Sequence, residues 1–522
     1  METENNGIRL LNKGKKGLFR VLFSRIGIVT VLILVEAFMM LAMLKWFNEY
    51  YPGYYGLTTL FTFVMVIYLL NTKMNPTAKI TWLILIMLFP LLGAAFLAWT
   101  KSNIGHRALK KRVLALMGET DSFITQEEDI ISKLRDEKPE AVALANYINR
   151  SGCYPVFDNT SVKYFSSGEE KFEEMLKQLK EAKHFIFLEY FIIDEGRMWG
   201  EILEILSQKV DEGVEVRVMY DGTCEYTTLT SDYTHRLAKL GIKSKVFAPA
   251  KPFVSSHYNY RDHRKILVID GHTAFNGGVN LADEYINEIE RFGHWKDAAV
   301  MLKGNAVKSF TLMFLQMWNL DEKEPVIRPY LEYNTFPQES EGFVIPYGDC
   351  PLDDDKLGER VYMDILNRSH RYVHIMTPYL ILDGELETAI KFAAERGVEV
   401  SLIIPGIPDK KSAYSLAKTH YRTLLESGVN IYEYTPGFVH SKICVSDDVS
   451  AVVGTINFDY RSLYHHFECA TYMSGVDCIE EIERDFAETV SKCKKVTFET
   501  IKEDKLWLNI PGILLKVVAP LL

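Results

Sequence analysis

The residues best suited to chemistry in this chain occur twice. His263, Lys265, Asp270, Gly277, Gly278 and Asn280 recur as His440, Lys442, Asp447, Gly454, Thr455 and Asn457, every position displaced by 177 residues. A full H-x-K-x4-D-x6-G-x2-N match arises by chance in roughly one chain in ten thousand, so two in register are no accident. Composition makes His263 to Ile269 a strand. Period-two alternation on it puts His263 and Lys265 on one face and Ile266 and Val268 on the other. His440 and Lys442 repeat the pattern. Glycines at the start of the next strand leave room for the close approach of a ligand, and Asn280 or Asn457 adds an amide donor. Brought together, two imidazoles, two ammonium groups and two amides make a pocket for a tetrahedral anion such as a phosphodiester.

Two histidines facing one phosphorus divide the work. A neutral imidazole attacks, and a protonated one delivers its proton to the leaving alkoxide. Imidazole supplies both states near neutral pH without large shifts, so the chemistry needs neither a metal nor another cofactor. Asp270 and Asp447 stand within the motif as candidate catalytic residues. Each also ends a strand ahead of turn-forming residues, which favours backbone capping. His465 and His466 sit beside Glu468. Neighbours on a strand point to opposite faces, so no metal site through both is expected. The Asp353-Asp354-Asp355 run lacks the alternating spacing of a calcium loop and reads as a solvated loop between lobes. Seven cysteines, Cys153, Cys224, Cys350, Cys444, Cys469, Cys478 and Cys493, include no C-x-x-C pair. They read as reduced cytosolic thiols, without zinc-ligand spacing.

The elements that must position these residues are also duplicated. Gly213-Val214-Glu215-Val216 recurs as Gly397-Val398-Glu399-Val400, and Tyr190 to Asp194 has its echo in Tyr379 to Asp383. Strand-like runs such as 184–193 and 214–220 alternate with amphipathic stretches such as 172–179 and 199–210. This predicts an α/β fold of two similar lobes, each a mixed sheet flanked by helices, over 141–335 and 336–504. The 522 residues carry 59 Lys and Arg against 69 Asp and Glu, a net charge of −10, and 48% are hydrophobic. Those figures exclude disorder and a collagenous repeat, and they disfavour a basic nucleic-acid binder.

Ahead of the lobes lie three apolar runs, 26–44, 54–70 and 80–99, each approaching the ~20 residues that cross ~30 Å of hydrocarbon. They predict a membrane region over 1–100 with two or three hydrophobic helices. The last two read as a hairpin about Asn71 to Pro76, with Tyr54, Trp82 and Trp99 near span ends where amphipathic rings favour the interface. Glu36 falls inside the first run at a cost of about 2.5–3.5 kcal/mol, which leaves its crossing open. Basic residues flank both sides, Lys13, Lys15, Lys16, Arg20 and Arg25 before and Lys101, Arg107, Lys110, Lys111 and Arg112 after. Three full spans would put the two flanks on opposite sides, against the positive-inside tendency. The apolar runs predict a multi-pass cell-membrane protein, and the reduced-looking cysteines favour lobes on the cytoplasmic face. Residues 101–140 read as a charged juxtamembrane connector and 505–522 as an interfacial amphipathic tail.

The paired motifs resemble those of the phospholipase D superfamily. Further features are similar to bacterial cardiolipin synthases: Asn75-Pro76 and Trp82, Leu188-Glu189-Tyr190, Trp295-Lys296-Asp297, and the Asn457-Phe458-Asp459-Tyr460-Arg461-Ser462 run. The resemblance implies a two-step transfer. One histidine attacks the phosphorus of a phosphatidylglycerol and glycerol leaves; the hydroxyl of a second phosphatidylglycerol then attacks the phosphatidyl-histidine. The superfamily pattern implies His263 as nucleophile and His440 as acid and then base, although the sequence itself is too symmetric to decide. It also implies that Lys265, Lys442, Asn280 and Asn457 hold phosphate oxygens and that Asp297 and Glu468 orient the imidazoles. Glu189 and Tyr379 either line the pocket mouth or simply pack against the core. The expected partners are a phospholipid substrate and the membrane, with no nucleic acid, no metal and no cofactor. Alternatives are a phosphodiester hydrolase with water as acceptor, another phosphatidyltransferase, and a catalytically silent membrane scaffold. The sequence carries no signal of oligomeric state.

Overall fold

A computed structural model of the chain describes residues 51–101, 104–249, 260–333, 336–503, 512–517 and 519–521, with five scattered positions between 34 and 45. The chain divides into two compact units, one of residues 1–104 with 517–522 and the other of residues 105–516.

In the first unit the helix Tyr51–Leu70 has 20 residues. A turn leads to the helix Pro76–Leu88, started by Asn75, whose side chain accepts from the Thr77 N–H, and by Pro76 at the first helical position. The run expected as one helix over 80–99 is broken at Phe89 and resumes as Pro90–Lys101, giving pieces of 13 and 12 residues. Pro90 has no N–H and restricts the residue before it, a break that hydrophobicity alone does not register. Among the described residues no helix is long and apolar enough to cross a membrane. Most of the run 26–44 and its basic flank lie outside the described residues, as do the side chains of Tyr54 and Trp99. Trp82, expected at an interface, is instead buried with Leu69, Ile86 and Leu97. The tail is divided. Residues 505–511 lie outside the described residues, while Thr81 Oγ1 donates to the Val517 carbonyl at 2.7 Å and Ala519 is buried in this first unit.

The second unit holds two sheets of one design. In chain order the first has β1 Thr160–Phe165, β2 Phe185–Tyr190, β3 Glu215–Asp221, β4 Lys243–Phe247, β5 Lys265–Ile269, β6 Thr273–Gly277 and β7 Ala299–Gly304. The second has β8 Phe343–Asp349, β9 Tyr372–Met376, β10 Glu399–Pro405, β11 Asn430–Tyr434, β12 Ile443–Ser446, β13 Ser450–Gly454, β14 His466–Ser474 and β15 Cys493–Lys495. Spatial order is β1-β7-β6-β5-β2-β3-β4 in one and β8-β14-β13-β12-β9-β10-β11-β15 in the other. Each sheet is therefore mixed. β2, β3 and β4 run parallel, as do β9, β10 and β11, and the motif hairpins β5-β6 and β12-β13 are antiparallel.

β2 and β3 are buried almost throughout, as their aromatic and β-branched content requires of strands covered on both faces. Alternation on β5 splits its apolar residues between two cores. Ile266 and Val268 join a cluster shared with Ile375, Ile443 and Val445 of the second sheet, while Leu267 and Ile269 face the helices of the first lobe. The helix Val307–Trp318 is buried on nearly every side within the shared cluster, as an all-round apolar helix must be. The stretch expected as a connector contributes Val113, Ile130 and Leu134 to that cluster. Asp355 of the acidic run is anchored rather than simply solvated, accepting from Tyr147 at 2.6 Å and from Ser151.

Asp270 and Asp447 sit at the far ends of β5 and β12 in the left-handed region, with φ of 52° and 57°. The Asp270 carboxylate accepts the backbone N–H groups of Lys183, His184 and Phe185, each at 2.8 Å. Asp447 does the same for His370, Arg371 and Tyr372 at 2.7, 2.9 and 2.8 Å. Aspartate tolerates this backbone and its charge satisfies three donors at the start of the adjacent strand, so both are turn anchors, the capping role that their turn chemistry favours. Asp447→Ala is expected to cost about 1–3 kcal/mol and lower Tm, while turnover per folded molecule is kept. Lost turnover at an unchanged Tm would return Asp447 to the chemistry.

Candidate active site

Each motif histidine is delivered by a short strand that pairs with the other lobe. Arg261–Asp262 pairs in parallel with His466 and Phe467 at the start of β14, and the His263 N–H donates to the Phe467 carbonyl at 2.9 Å. Gly437–Val439 pairs in parallel with His294–Lys296, and the His440 N–H donates to the Lys296 carbonyl at 2.7 Å. The next residue on each receiving strand is a carboxylate. His263 Nδ1 lies 2.9 Å from both oxygens of Glu468, and His440 Nδ1 lies 2.8 Å from Asp297 Oδ2. Each imidazole is thus held by a carboxylate from the opposite lobe. An Nδ1–H given to the carboxylate leaves the lone pair on Nε2.

All four groups are buried, Asp297 and Glu468 completely. Burial, reinforced by Lys265 and Lys442, holds His263 well below the ordinary imidazole range. Burial and Lys442 push His440 down to about 4, although Asp297 opposes them. The lysines share this environment. Lys265 Nζ donates to the His263 carbonyl at 2.5 Å, and Lys442 Nζ donates to the His440 carbonyl and lies 2.9 Å from His440 Nδ1. Burial lowers Lys265 to about 8 and Lys442 to about 7. Burial works against ionising Asp297, yet His440 and Lys442 hold its carboxyl below the usual value. An anion placed here restores charge to both lysines and supplies what the buried cations lack.

The other sequence-predicted residues divide. Asn280 Oδ1 accepts from the Ile192 N–H at 3.0 Å and its amide donates to the Tyr285 hydroxyl at 2.8 Å, which leaves one amide proton for a ligand. The Asn457 amide reaches Asp459 at 3.4 Å, and its buried Oδ1 has no hydrogen bond. The glycines make room for protein rather than ligand. A Cβ on Gly278 would stand 2.0 Å from Asp297 Oδ1 and 3.0 Å from the His440 carbonyl. Glu189 is not at a mouth: it is fully buried, 3.2 Å from Arg264 Nε, beside Asp262. The Tyr379 hydroxyl donates to Asp409 at 2.6 Å, and its ring lies 6.5 Å from Phe438, which in turn is 5.9 Å from the His440 ring.

Three contributors went unread in the sequence. Thr455 Oγ1 donates to Glu468, the Phe191 ring stands 4.9 Å from His263, and His466 lies buried with its ring 5.3 Å from that of His263. The signal for His466 was its i, i+2 spacing to Glu468, not its adjacency to His465. Donor atoms of His263, His466 and Glu468 lie within 4.8 Å of one another, but Lys265, Lys442 and Arg461 act on the same imidazoles. These surroundings oppose a cation and favour a phosphate.

The family model described as "Cardiolipin synthase, PLD-like domain" matches residues 175–318 and 362–490. The chain is 57% identical over 457 residues to an uncharacterized protein of Streptococcus mutans, covering 88% of this chain and 99% of that one. It is 32% identical to cardiolipin synthase 2 of Bacillus anthracis, over 88% of this chain and 89% of the relative. It is 31% identical to a cardiolipin synthase of a Geobacillus species, over 96% of this chain and all of the relative. Among solved structures the phosphatidylserine synthase of Haemophilus influenzae superposes with a TM-score of 0.55 over 73% of this chain and 100% of that one. At 15% identity it speaks for the fold alone. With family matches in both lobes, the chain belongs to the cardiolipin synthase family with phospholipase D-like domains.

Proposed function

We propose that the chain transfers a phosphatidyl group from one phosphatidylglycerol to another, releasing glycerol and forming cardiolipin. The observation that carries this reading is the pair of buried imidazoles, each clamped at Nδ1 by the opposite lobe's carboxylate and flanked by two buried lysines. In the first step His263 Nε2 attacks phosphorus, the bond from phosphorus to the glycerol oxygen breaks, and His440 gives its proton to the departing oxygen. In the second, His440 takes the proton of the acceptor's glycerol hydroxyl, that oxygen attacks phosphorus, and the phosphorus–nitrogen bond breaks. Burial and the two lysines depress the proton affinity of His263, which favours its neutral, attacking form. The bound diester anion raises the proton affinity of His440 and keeps Lys265 and Lys442 charged. Lys265, Lys442 and the amides of Asn280 and Asn457 hold the phosphate oxygens in this reading. A hydrolase differs only in the second acceptor.

Attachment to the cell membrane, with the lobes on its cytoplasmic face, belongs to the same proposal. Leu57, Leu60, Phe63, Val64, Met87 and Leu88 of the first unit are each more than half exposed, an apolar surface suited to lipid. The seven free cysteines support the cytoplasmic side.

Detergent-solubilised protein incubated with phosphatidylglycerol and excess chelator should yield cardiolipin and glycerol by lipid mass spectrometry, and His263→Ala should yield neither. Phosphatidic acid alone would make the protein a hydrolase, and no product from any phospholipid would make it a scaffold. His440→Ala should accumulate a phosphatidyl adduct on His263, whereas an adduct on His440 in the His263→Ala protein would reverse the two roles. Because kcat/KM reports the free protein, it should fall as pH rises through about 7 and 8, where Lys442 and Lys265 lose their protons. A flat profile across that range would remove the lysines from phosphate binding.

A further inference from the structure

The crossed pairing sets up a residue-by-residue equivalence between the lobes. In one half Val439, just before His440, pairs with Lys296, just before Asp297, and one step back Phe438 pairs with Trp295. In the other half Asp262, just before His263, pairs with Phe467, just before Glu468, and one step back Arg261 pairs with His466. Trp295 and His466 therefore hold the same position in the two half-sites. Their surroundings match as well. The Trp295 ring lies 5.2 Å from that of His440, and its Nε1–H donates to Asp297 Oδ2 at 3.4 Å. The His466 ring lies 5.3 Å from that of His263, and its Nδ1 is 3.5 Å from Glu468 Oε1. Both side chains are buried, and neither ring nitrogen of His466 has a hydrogen-bond partner.

We propose that His466 is a positioning residue, donating its Nδ1–H to the Glu468 carboxylate that holds His263, as the Trp295 indole does for Asp297 and His440. An approach of about half an ångström turns the 3.5 Å separation into a full hydrogen bond. The groups acting on His466 are Glu468, His263 and Arg461, and burial, the largest influence, pushes it down to about 3, so it is a neutral donor like the indole. A carboxylate that accepts from His466 and Thr455 has less negative charge to offer the imidazole of His263. His263 is then easier to keep neutral, the form that attacks. An indole can only donate, whereas an imidazole keeps a second nitrogen as acceptor, so the two half-sites are chemically unequal at this position.

This inference rests on the phosphatidyl-transfer reading and is testable separately from it. His466→Phe keeps a ring and removes the donor, and His466→Asn restores an N–H where Nδ1 stood; His466→Leu serves if the Phe variant fails to fold. Each is assayed for nitrophenol release from bis(p-nitrophenyl) phosphate, which needs no lipid acceptor, and for cardiolipin formation, between about pH 4 and 9. The donor-less variant is expected to lose about tenfold in kcat/KM near neutral pH, as the loss of one hydrogen bond to a charged group implies. Its acidic limb should move to higher pH, because a more basic Glu468 favours protonated His263, and the Asn variant should restore both. An unmoved acidic limb, or no restoration by Asn, overturns the proposal. Diester cleavage without cardiolipin in the unaltered protein defeats the synthase reading and leaves the role of His466 to be judged by the same limb, whereas cleavage of neither substrate defeats both.

Discussion

Neither lobe owns a complete histidine–carboxylate pair. His263 depends on Glu468 and His440 on Asp297, and in each case a strand of two or three residues from one lobe zips onto the other just before the histidine. This reciprocal exchange fixes most of what surrounds the site. It places both imidazoles at the seam, each with Nδ1 occupied by a carboxylate, which leaves Nε2 as the nitrogen available for chemistry. It also explains why the two sheets share one hydrophobic cluster, since apolar contact must hold the seam closed while the polar groups inside it stay dry.

Burying two lysines, two histidines and two carboxylates together is tolerated because the carboxylates are held by the imidazoles and the ammonium groups by backbone carbonyls, and removing one partner would strand another in a medium that cannot solvate it. The arrangement leaves depressed proton affinities at the lysines. A site organised in this way gains most when an anion arrives, so its electrostatics are prepared ahead of the reaction rather than rearranged during it. Gly278 belongs to the same design. It is the space in which the Asp297 carboxylate and the His440 backbone meet.

Much of the fold was legible because it is written twice. The two H-x-K-x4-D elements, the GVEV strands and their spacing gave two mixed-sheet lobes, and turn chemistry pointed to Asp270 and Asp447 as anchors. The crossing was not legible. Arg261–Asp262 and Gly437–Val439 are too short to show a strand periodicity, and a partner in the other lobe leaves no local mark. The glycines were misread because a pattern can show that space is needed without showing what fills it. The apolar run over 80–99 was read through Pro90 since composition averages over a break, and Trp82 was assigned to an interface when its neighbours in space were Ile86 and Leu97. His466 was weighed only against His465, the wrong neighbour on a strand, where i and i+2 share a face.

In the seam each half presents the same short strand and the same receiving strand to the other, the self-complementary form that a two-fold dimer interface takes. The second lobe's strand order repeats that of the first. One polypeptide thus carries the contact pattern of a pair of identical subunits, and covalent fusion releases a constraint that a true pair would impose. Identical subunits must place the same side chain at equivalent positions. Here one copy has Trp295, Asp297 and Gly278 where the other has His466, Glu468 and Thr455. Covalent linkage lets the halves of the site differ, which is what an enzyme needs if one imidazole is to form the covalent bond while its twin handles the proton.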